Sequence, residues 1–537
     1  MLINGIEIDP AVNPGTLDTL TWDPEAAIRL IKQNQSDLQA VQQAIMASGS
    51  VEEFPSQLAR IQTEGITFFA ESVSLYDDIG YMLAGLPDGQ KVFLSASIYG
   101  NKPVMKMIGD VSLGMMRAYI SPVNVETVST FVAVIAPRFA PKAAGSVSRL
   151  GIGNRQTVTV WPSIFEAIKE VGGPAEIVQN SAYRELAPLD FIMAPPSKEA
   201  AYLPGHGSLN IGHTGSSIQG LWLYGVVSAI EHGFTEPYGA DLDHIPVKSS
   251  DEAGLAHAKM LIDLGRHYTF FTLDTSYLFN LDAEDMGERY GAAIDAAVAM
   301  FEHIKALKGD EKFDFEFSLD EGPAITTPEE QEYVLRELTN RGVSVQFIAP
   351  NVGFEKRVDY RLPDGLPALE ARVKALSEVA ARYGALLDFH SGSDKSSTTY
   401  QTISRACGGN LKLKVSGKLQ LILSEVLADM DPEFFNFWWD WTLKTAQAEA
   451  DGGSEVAAKY VGLVEERKDA EGANFQRSPK DLFFTDFSFA MVGAKDESGG
   501  FLYRDRFYSL SPEVQAEYTR RVKEYVIKLA EDMNLRR

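Results

Sequence analysis

From about residue 145 onward, short apolar runs end in polar clusters and longer helix-like stretches separate them. No other feature of the chain restricts the fold as strongly, because alternating strands and helices favour a parallel sheet. The runs are RLGIGNR (149–155), PYGADLDHIP (237–246), YTFFTLDTS (268–276), FDFEFSLDEG (313–322), VSVQFIAPN (343–351), ALLDFHSGSDK (385–395), LKLKVSGK (411–418) and LFFTDFSFA (482–490), with LDFIMAPPS (189–197) as a ninth candidate. Helix-like stretches at 285–306, 328–341, 366–383 and 432–466 lie between several of them. Eight such repeats favour closure into an α/β, (β/α)8 TIM-type barrel, with an open doubly wound sheet as the rival. The expected division is a barrel over 141–537 and an N-terminal α+β extension over 1–140, whose first helix is read over Pro24–Met46.

Barrel enzymes place their chemistry where strands end. Here those ends carry Asn154 and Arg155, Asp243 and His244, Asp274, Glu316 and Asp320, Asn351, His390 and Asp394, Lys414 and Lys418, and Asp486. Buried strands tolerate so many charges only when the charges are paired or bind something. Strand parity puts Asp314, Glu316, Ser318 and Asp320 on one face and Phe313, Phe315, Phe317 and Leu319 on the other. By the same parity Asp388 shares a face with His390, and Lys412 with Lys414. Carboxylates and lysines from different strands would then meet at one axis, around a metal, an anionic substrate or an inward salt-bridge network. Oxygen and imidazole donors suit Zn²⁺, Mn²⁺ or Ni²⁺. Glu316 and His390 are the leading ligands, His244 follows, and Asp320 is a further candidate. His206 and His213, in PGHGSLNIGHTGS, read as loop histidines.

Composition removes several alternatives. Lys and Arg number 49 against 74 Asp and Glu, a formal net charge of −25. Such a surface repels nucleic acid and anionic lipid, so a small-molecule ligand is expected and no nucleic-acid or membrane partner. Cys407 is the single cysteine, which excludes an internal disulfide and cysteine-rich metal sites. The N-terminus lacks a basic region followed by an apolar one, and no apolar run approaches the ~18–20 residues of a spanning helix. A cytoplasmic enzyme is expected, and a homo-oligomer stays open. No phosphate-loop, dinucleotide-loop or nucleophile-elbow spacing occurs, so no nucleotide cofactor is expected.

GADLDHIPVKS, FEFSLDEGPAITTPEE, FIAPNVGFEKRVDYR and LLDFHSGSDKSS, taken in this order and spacing, resemble the tagaturonate epimerase family over roughly residues 145–420. Those bacterial enzymes interconvert tagaturonate and fructuronate by inverting C4. The resemblance implies a barrel, a divalent metal and a keto-sugar-acid substrate. It extends to Asp243, His244, Lys248, Glu316, Asp320, Glu321, Glu355, Lys356, His390, Ser391, Asp394 and Lys395, but not to Asn154 or to 414–420. The C4 hydrogen is not α to the C2 carbonyl, so retro-aldol cleavage of C3–C4 and re-addition is the expected route. Glu316, His390 and His244 would hold the metal, and Asp243 or Asp320 would act as general base, with Lys248 in the catalytic group. Arg155, Lys356, Ser391, Asp394, Lys395 and Lys418 would contact substrate, where Lys248, Lys395 or Lys418 could pair with its carboxylate and Arg155 could bind it bidentately. The alternatives are a metal-dependent ketose or hexuronate isomerase or 3-epimerase, and a non-catalytic sugar-acid-binding barrel.

Overall fold

The structure is a computed structural model that describes residues 2–3, 6–7, 24–48, 53–97, 101–114, 116–182, 184–195, 200–203, 207–320, 322, 324–356 and 358–536. His206 and Glu321 lie outside these, as does most of the stretch before Pro24. The chain divides into two compact units, Met1–Ala140 with Gln219–Thr235, and Pro141–Ile218 with Glu236–Arg537.

In the first unit, antiparallel strands Ile79–Gly85, Lys91–Ser97, Met116–Pro122 and Gly109–Leu113 pair in that spatial order, with Thr67–Phe68 and Ser74–Tyr76 both on the first. Side chains alternate across this sheet as the strand period requires. Met82, Ala84, Val92, Leu94, Val111 and Ile120 pack with Ala27, Ile31, Leu38 and Val41 of the helices Pro24–Gln33 and Gln35–Ala47. On the opposite parity, Phe93 stacks on Phe131 at 4.8 Å.

The second unit is a closed eight-stranded parallel barrel. Its strands are β1 (Arg149–Gly153), β2 (Ala175–Ser181), β3 (Tyr238–Pro246), β4 (Phe270–Asp274), β5 (Asp314–Ser318), β6 (Phe347–Ala349), β7 (Leu386–Phe389) and β8 (Leu411–Val415). Each pairs with the next, and β8 returns to β1 through Lys412↔Arg149 and Val415↔Ile152. The helices that follow them in sequence are α1 (Thr157–Val171), α2 (Ile218–Glu231), α3 (Glu252–Leu264), α4 (Met286–Lys308), α5 (Pro328–Asn340), α6 (Gly365–Arg382), α7 (Ser397–Ala406) and α8 (Gly417–Met430). This is the expected (β/α)8 fold. From Gln219 onward α2 groups with the first unit.

Seven of the expected strands stand. LFFTDFSFA does not: Leu482–Phe487 is helical. Phe483, Phe484 and Phe487 repeat at helical rather than strand spacing, and Phe484 packs on Trp438 and Phe483 on Trp439 at about 5 Å. LDFIMAPPS opens with a short helix, Leu189–Met193, rather than a strand. The missing strand is β2, AEIVQNS, buried at every position. Four of its seven residues are polar, and Glu176, Gln179 and Asn180 find partners in Arg149, Asp243 and Asn154, so the segment resembles a loop when judged by apolar runs.

The parity of β5 holds. Phe313 and Phe315 meet Phe301 of α4, each at 5.4 Å, while Asp314 and Glu316 face the barrel interior. That interior is crowded with long polar side chains, and Gly151 of β1 makes room for them. A Cβ there would lie 2.5 Å from Gln179 Oε1 and 3.2 Å from carbons of Lys412 and Lys414. Gly151→Ala should therefore cost about 1–3 kcal/mol through overpacking, read as a lowered midpoint in urea unfolding.

Candidate active site

Ionic residues fill the barrel axis in tiers. At the floor, Arg149 binds Glu176 at 2.6 Å and Asp314 at 3.0 Å. Above it, Lys412 Nζ lies 2.9 Å from Asp241, 3.2 Å from Asp388 and 3.3 Å from Glu316, and 3.7 Å from the centre of the Phe270 ring. Above that, Lys414 Nζ donates to Asp243 Oδ1 at 2.7 Å, to Glu316 Oε1 at 3.1 Å and to Thr272 Oγ1 at 3.2 Å, and sits 2.9 Å from His390 Nε2. His390 follows β7 directly. Its Nε2 is 2.7 Å from Glu316 and its Nδ1 is 3.0 Å from Asp320. His244, on β3, has its Nδ1 2.7 Å from Asp243 and its ring 4.7 Å from that of His390.

The cavity above this tier has a volume of about 140 Å³. Asp243, His244, Asp320, His390, Ser391 and Lys414 line it, together with Lys356, Arg155, Arg184 and Glu185. A second cavity of about 350 Å³ shares Asp320, Lys356, His390 and Ser391 and adds Asn351, Phe354, Glu355, Tyr460 and Asp486. His244, Ser391 and Asp394 all hold left-handed backbone, with φ of 49°, 54° and 65°. Such outliers persist where the surroundings over-determine them, and they concentrate at working sites.

Burial raises the Asp243 carboxyl, but His244 and Lys414 outweigh it and hold the group well below the usual carboxylate range. Asp320 is likewise held low against its burial, by His390 above all. Burial disfavours the His390 imidazolium, yet Asp320 overrides this and carries the group well above an ordinary histidine. Glu316 is pushed up by burial and by Asp388, against Lys414 and Lys412.

Among the described residues, two donor sets could hold a metal ion, each with ligand atoms within 4.8 Å of one another: His244, Asp320 and His390, and Glu316, Asp388 and His390. The first lines the cavity. In the second, both Glu316 oxygens already contact lysine ammonium groups. Five carboxylates (Asp241, Asp243, Glu316, Asp320 and Asp388) face only two ammonium groups here, so the donor set leaves negative charge for an imidazolium or a divalent cation to balance. The residues present therefore fit the implied metal.

The other expected site residues divide. Arg155, Lys356 and Ser391 line the main cavity. Lys248 does not: it is exposed, three-dimensional placement having carried the segment after β3 outward. Lys395 is buried away from the cavity, donating to the carbonyls of Glu355 at 2.8 Å and Ser393 at 3.2 Å, and burial lowers its ammonium to about 8. Asp394 and Lys418 face each other at 3.9 Å outside it, Asp394 bordering a separate cavity with Gln420 and Lys480. Gln179, Asn180, Ser181, Arg184 and Glu185 also line the main cavity and escaped the sequence reading with β2. The pair Ile177–Val178 behind Gly172-Gly173-Pro174 was the available signal.

The family model for tagaturonate epimerase matches residues 278–533. A tagaturonate/fructuronate epimerase of Thermotoga maritima is 30% identical over 258 residues, covering 40% of this chain and 51% of that protein. The chain thus spans about half the length of the curated relative it matches. Two crystal structures of the fructuronate–tagaturonate epimerase from Cohnella laeviribosi share the fold. The native form has a TM-score of 0.63 at 18% identity, covering 91% of this chain and all of that one. A complex with two glycerols has a TM-score of 0.63 at 17% identity, covering 87% and 96%. The likeness read from the sequence is borne out.

Proposed function

From the premise that residues 278–533 carry a tagaturonate epimerase sequence, we propose that this chain is a carbohydrate epimerase that inverts C4 of a keto-hexuronate, interconverting tagaturonate and fructuronate. The observation that carries this reading is the meeting of Asp243, His244, Asp320, His390 and Lys414, from four strands or their ends, on one cavity.

The reaction follows from the substrate's connectivity. Asp243 accepts the C4 hydroxyl proton, the C3–C4 electron pair moves to the C2 oxygen as an enolate, and C4 becomes an aldehyde. The aldehyde fragment turns, C3 attacks its other face, and Asp243 returns the proton. Lys414, 2.7 Å from Asp243, keeps the carboxylate ionised and directed at the cavity. Lys356 and Arg155 supply positive charge for the sugar acid. His244, Asp320 and His390 would hold a zinc, manganese or nickel ion, with Glu316 supporting His390. When bound, that ion supplies Lewis-acid stabilisation of negative charge at the ketone oxygen. Walls of fixed charge on rigid strand ends suit such a reaction, because they need little reorganisation as charge develops.

The test is to incubate metal-loaded protein with tagaturonate or fructuronate in D₂O and follow the products by NMR. A C4-inverted product with all carbon-bound hydrogens retained is expected. Deuterium entering a carbon position would instead identify an enolising isomerase or 3-epimerase, and binding without product a non-catalytic barrel. Chelation should lower turnover about tenfold or more, with recovery on adding back zinc, manganese or nickel. Full activity after chelation would remove the metal from the reading.

A further inference from the structure

The cavity has two ends, and only one contains the acid–imidazole cluster. At the other, Arg155 follows β1 and Glu185 follows β2. Glu185 Oε1 accepts from Arg155 Nε at 2.8 Å. The guanidinium also lies 5.1 Å over the Phe489 ring, which restrains its plane. With Nε committed to Glu185, the two Nη groups are the part of the guanidinium left to face a ligand. Nη1 reaches the start of α8, lying 3.7 Å from where a Cβ on Gly417 would stand.

Two further features make this end suited to a carboxylate. Ser416 occupies the N-cap position of α8 but makes no capping bond, and its buried Oγ has no hydrogen-bond partner among the described residues. The first amides of a helix also lack intrahelical acceptors and attract anions. Across from Ser416, Gly153 keeps the space open, since a Cβ there would sit 2.5 Å from that of Ser416.

Glu185 is itself held firmly. Its Oε2 accepts the Ser181 amide at 2.9 Å, its own amide donates to the Ser181 carbonyl at 3.1 Å, and its carbonyl accepts from the Thr214 hydroxyl. Burial opposes its charge, but Arg155 and His213 outweigh burial and bring the carboxyl down to about 2. The ion pair therefore persists at any working pH.

We propose that Glu185 is a positioning residue for acid recognition: by binding Arg155 Nε it directs the two Nη groups at the substrate carboxylate, beside Ser416 and the start of α8, and so sets the preference for a hexuronate over a neutral ketohexose. This rests on the proposed function for the identity of the sugar. A carboxylate accepts two parallel N–H bonds from one guanidinium, whereas the primary alcohol of a neutral ketose cannot. Discrimination by charge-assisted bonds of this kind is typically about 10–100-fold.

The experiment measures binding of tagaturonate and of tagatose by calorimetry to the full metal-loaded chain, in wild type, Arg155→Met, Arg155→Lys and Glu185→Gln. Wild type should bind the acid more tightly. Arg155→Met should reduce the acid-to-neutral ratio about 10–100-fold, and Glu185→Gln about tenfold. Arg155→Lys should recover only part, because a point charge replaces the fork. If Glu185 were merely structural, affinity for both sugars would fall together and the ratio would hold. That result, an unchanged ratio in Arg155→Met, or no binding of either sugar to wild type would each overturn the inference. Epimer formation, measured separately by NMR, decides the proposed function: binding that depends on Arg155 without turnover would leave this inference standing and remove the other.

Discussion

Lys414→Met is expected to lower kcat/KM by about a thousandfold or more and to destabilise the barrel unit by about 3–5 kcal/mol. The two effects share a cause. The ammonium of Lys414 stands between Asp243, Glu316 and His390, and its side chain is only 7% exposed. Methionine fills nearly the same volume, so the loss comes from charge rather than from packing. It leaves Asp243 and Glu316 buried with one cation fewer. Asp243 would also lose the contact that directs its carboxylate at the cavity. Lys414→Arg should recover part of the stability but little of the rate, because a planar fork cannot reproduce a point charge shared by three partners. Product NMR on the folded variant and urea unfolding measure the two effects separately. A variant that unfolds like wild type would show that the carboxylates find other partners.

Arg149→Met should destabilise by a similar amount, about 3–5 kcal/mol, while turnover per folded molecule changes little. Arg149 is buried at the opposite end of the barrel axis from the cavity. Its guanidinium holds Glu176, Asp314 and the carbonyls of Val147 and Gly145. Asp314 in turn accepts from the amides of Ala144 and Gly145, so the arginine ties the entry to β1 onto β5. Removing it takes a donor from two acids and two carbonyls, although Asp314 keeps the amides of Ala144 and Gly145. Activity normalised to the folded fraction tests the separation, and a loss matching that of Lys414→Met would mean that the two tiers are coupled.

The same floor gives a pH signature. Burial raises the Glu176 carboxyl to about 7, with Arg149 opposing. Its folded value exceeds the ordinary value of 4.5, so between these limits the native state binds more protons than the unfolded one. Stability should therefore decline as pH rises through this interval, and Glu176→Gln should flatten that part of the profile. An unchanged slope in the variant would assign the dependence to another group.

The amino-acid sequence alone determined the barrel and much of its chemistry. Seven of the eight strands show as apolar runs, because their outward faces must be apolar to pack on helices. The alternation in FDFEFS separates Phe315 from Glu316 before any coordinates exist, since a strand's side chains have a period of two. The motifs GADLDHIPVKS and LLDFHSGSDKSS likewise place Asp243, His244 and His390 at strand ends.

Only the tertiary structure decided which polar residues share a cavity. Lys248, Lys395 and Lys418 are charged, lie near strand ends, and look equivalent in one dimension. Folding exposes the first, turns the second onto backbone carbonyls and pairs the third with Asp394. β2 shows the converse. Glu176, Gln179 and Asn180 look like loop residues until Arg149, Asp243 and Asn154, far away in sequence or on another strand, supply their partners. Local pattern reports what each segment must bury, whereas the partners that make a buried polar group affordable come from segments that only barrel closure brings together.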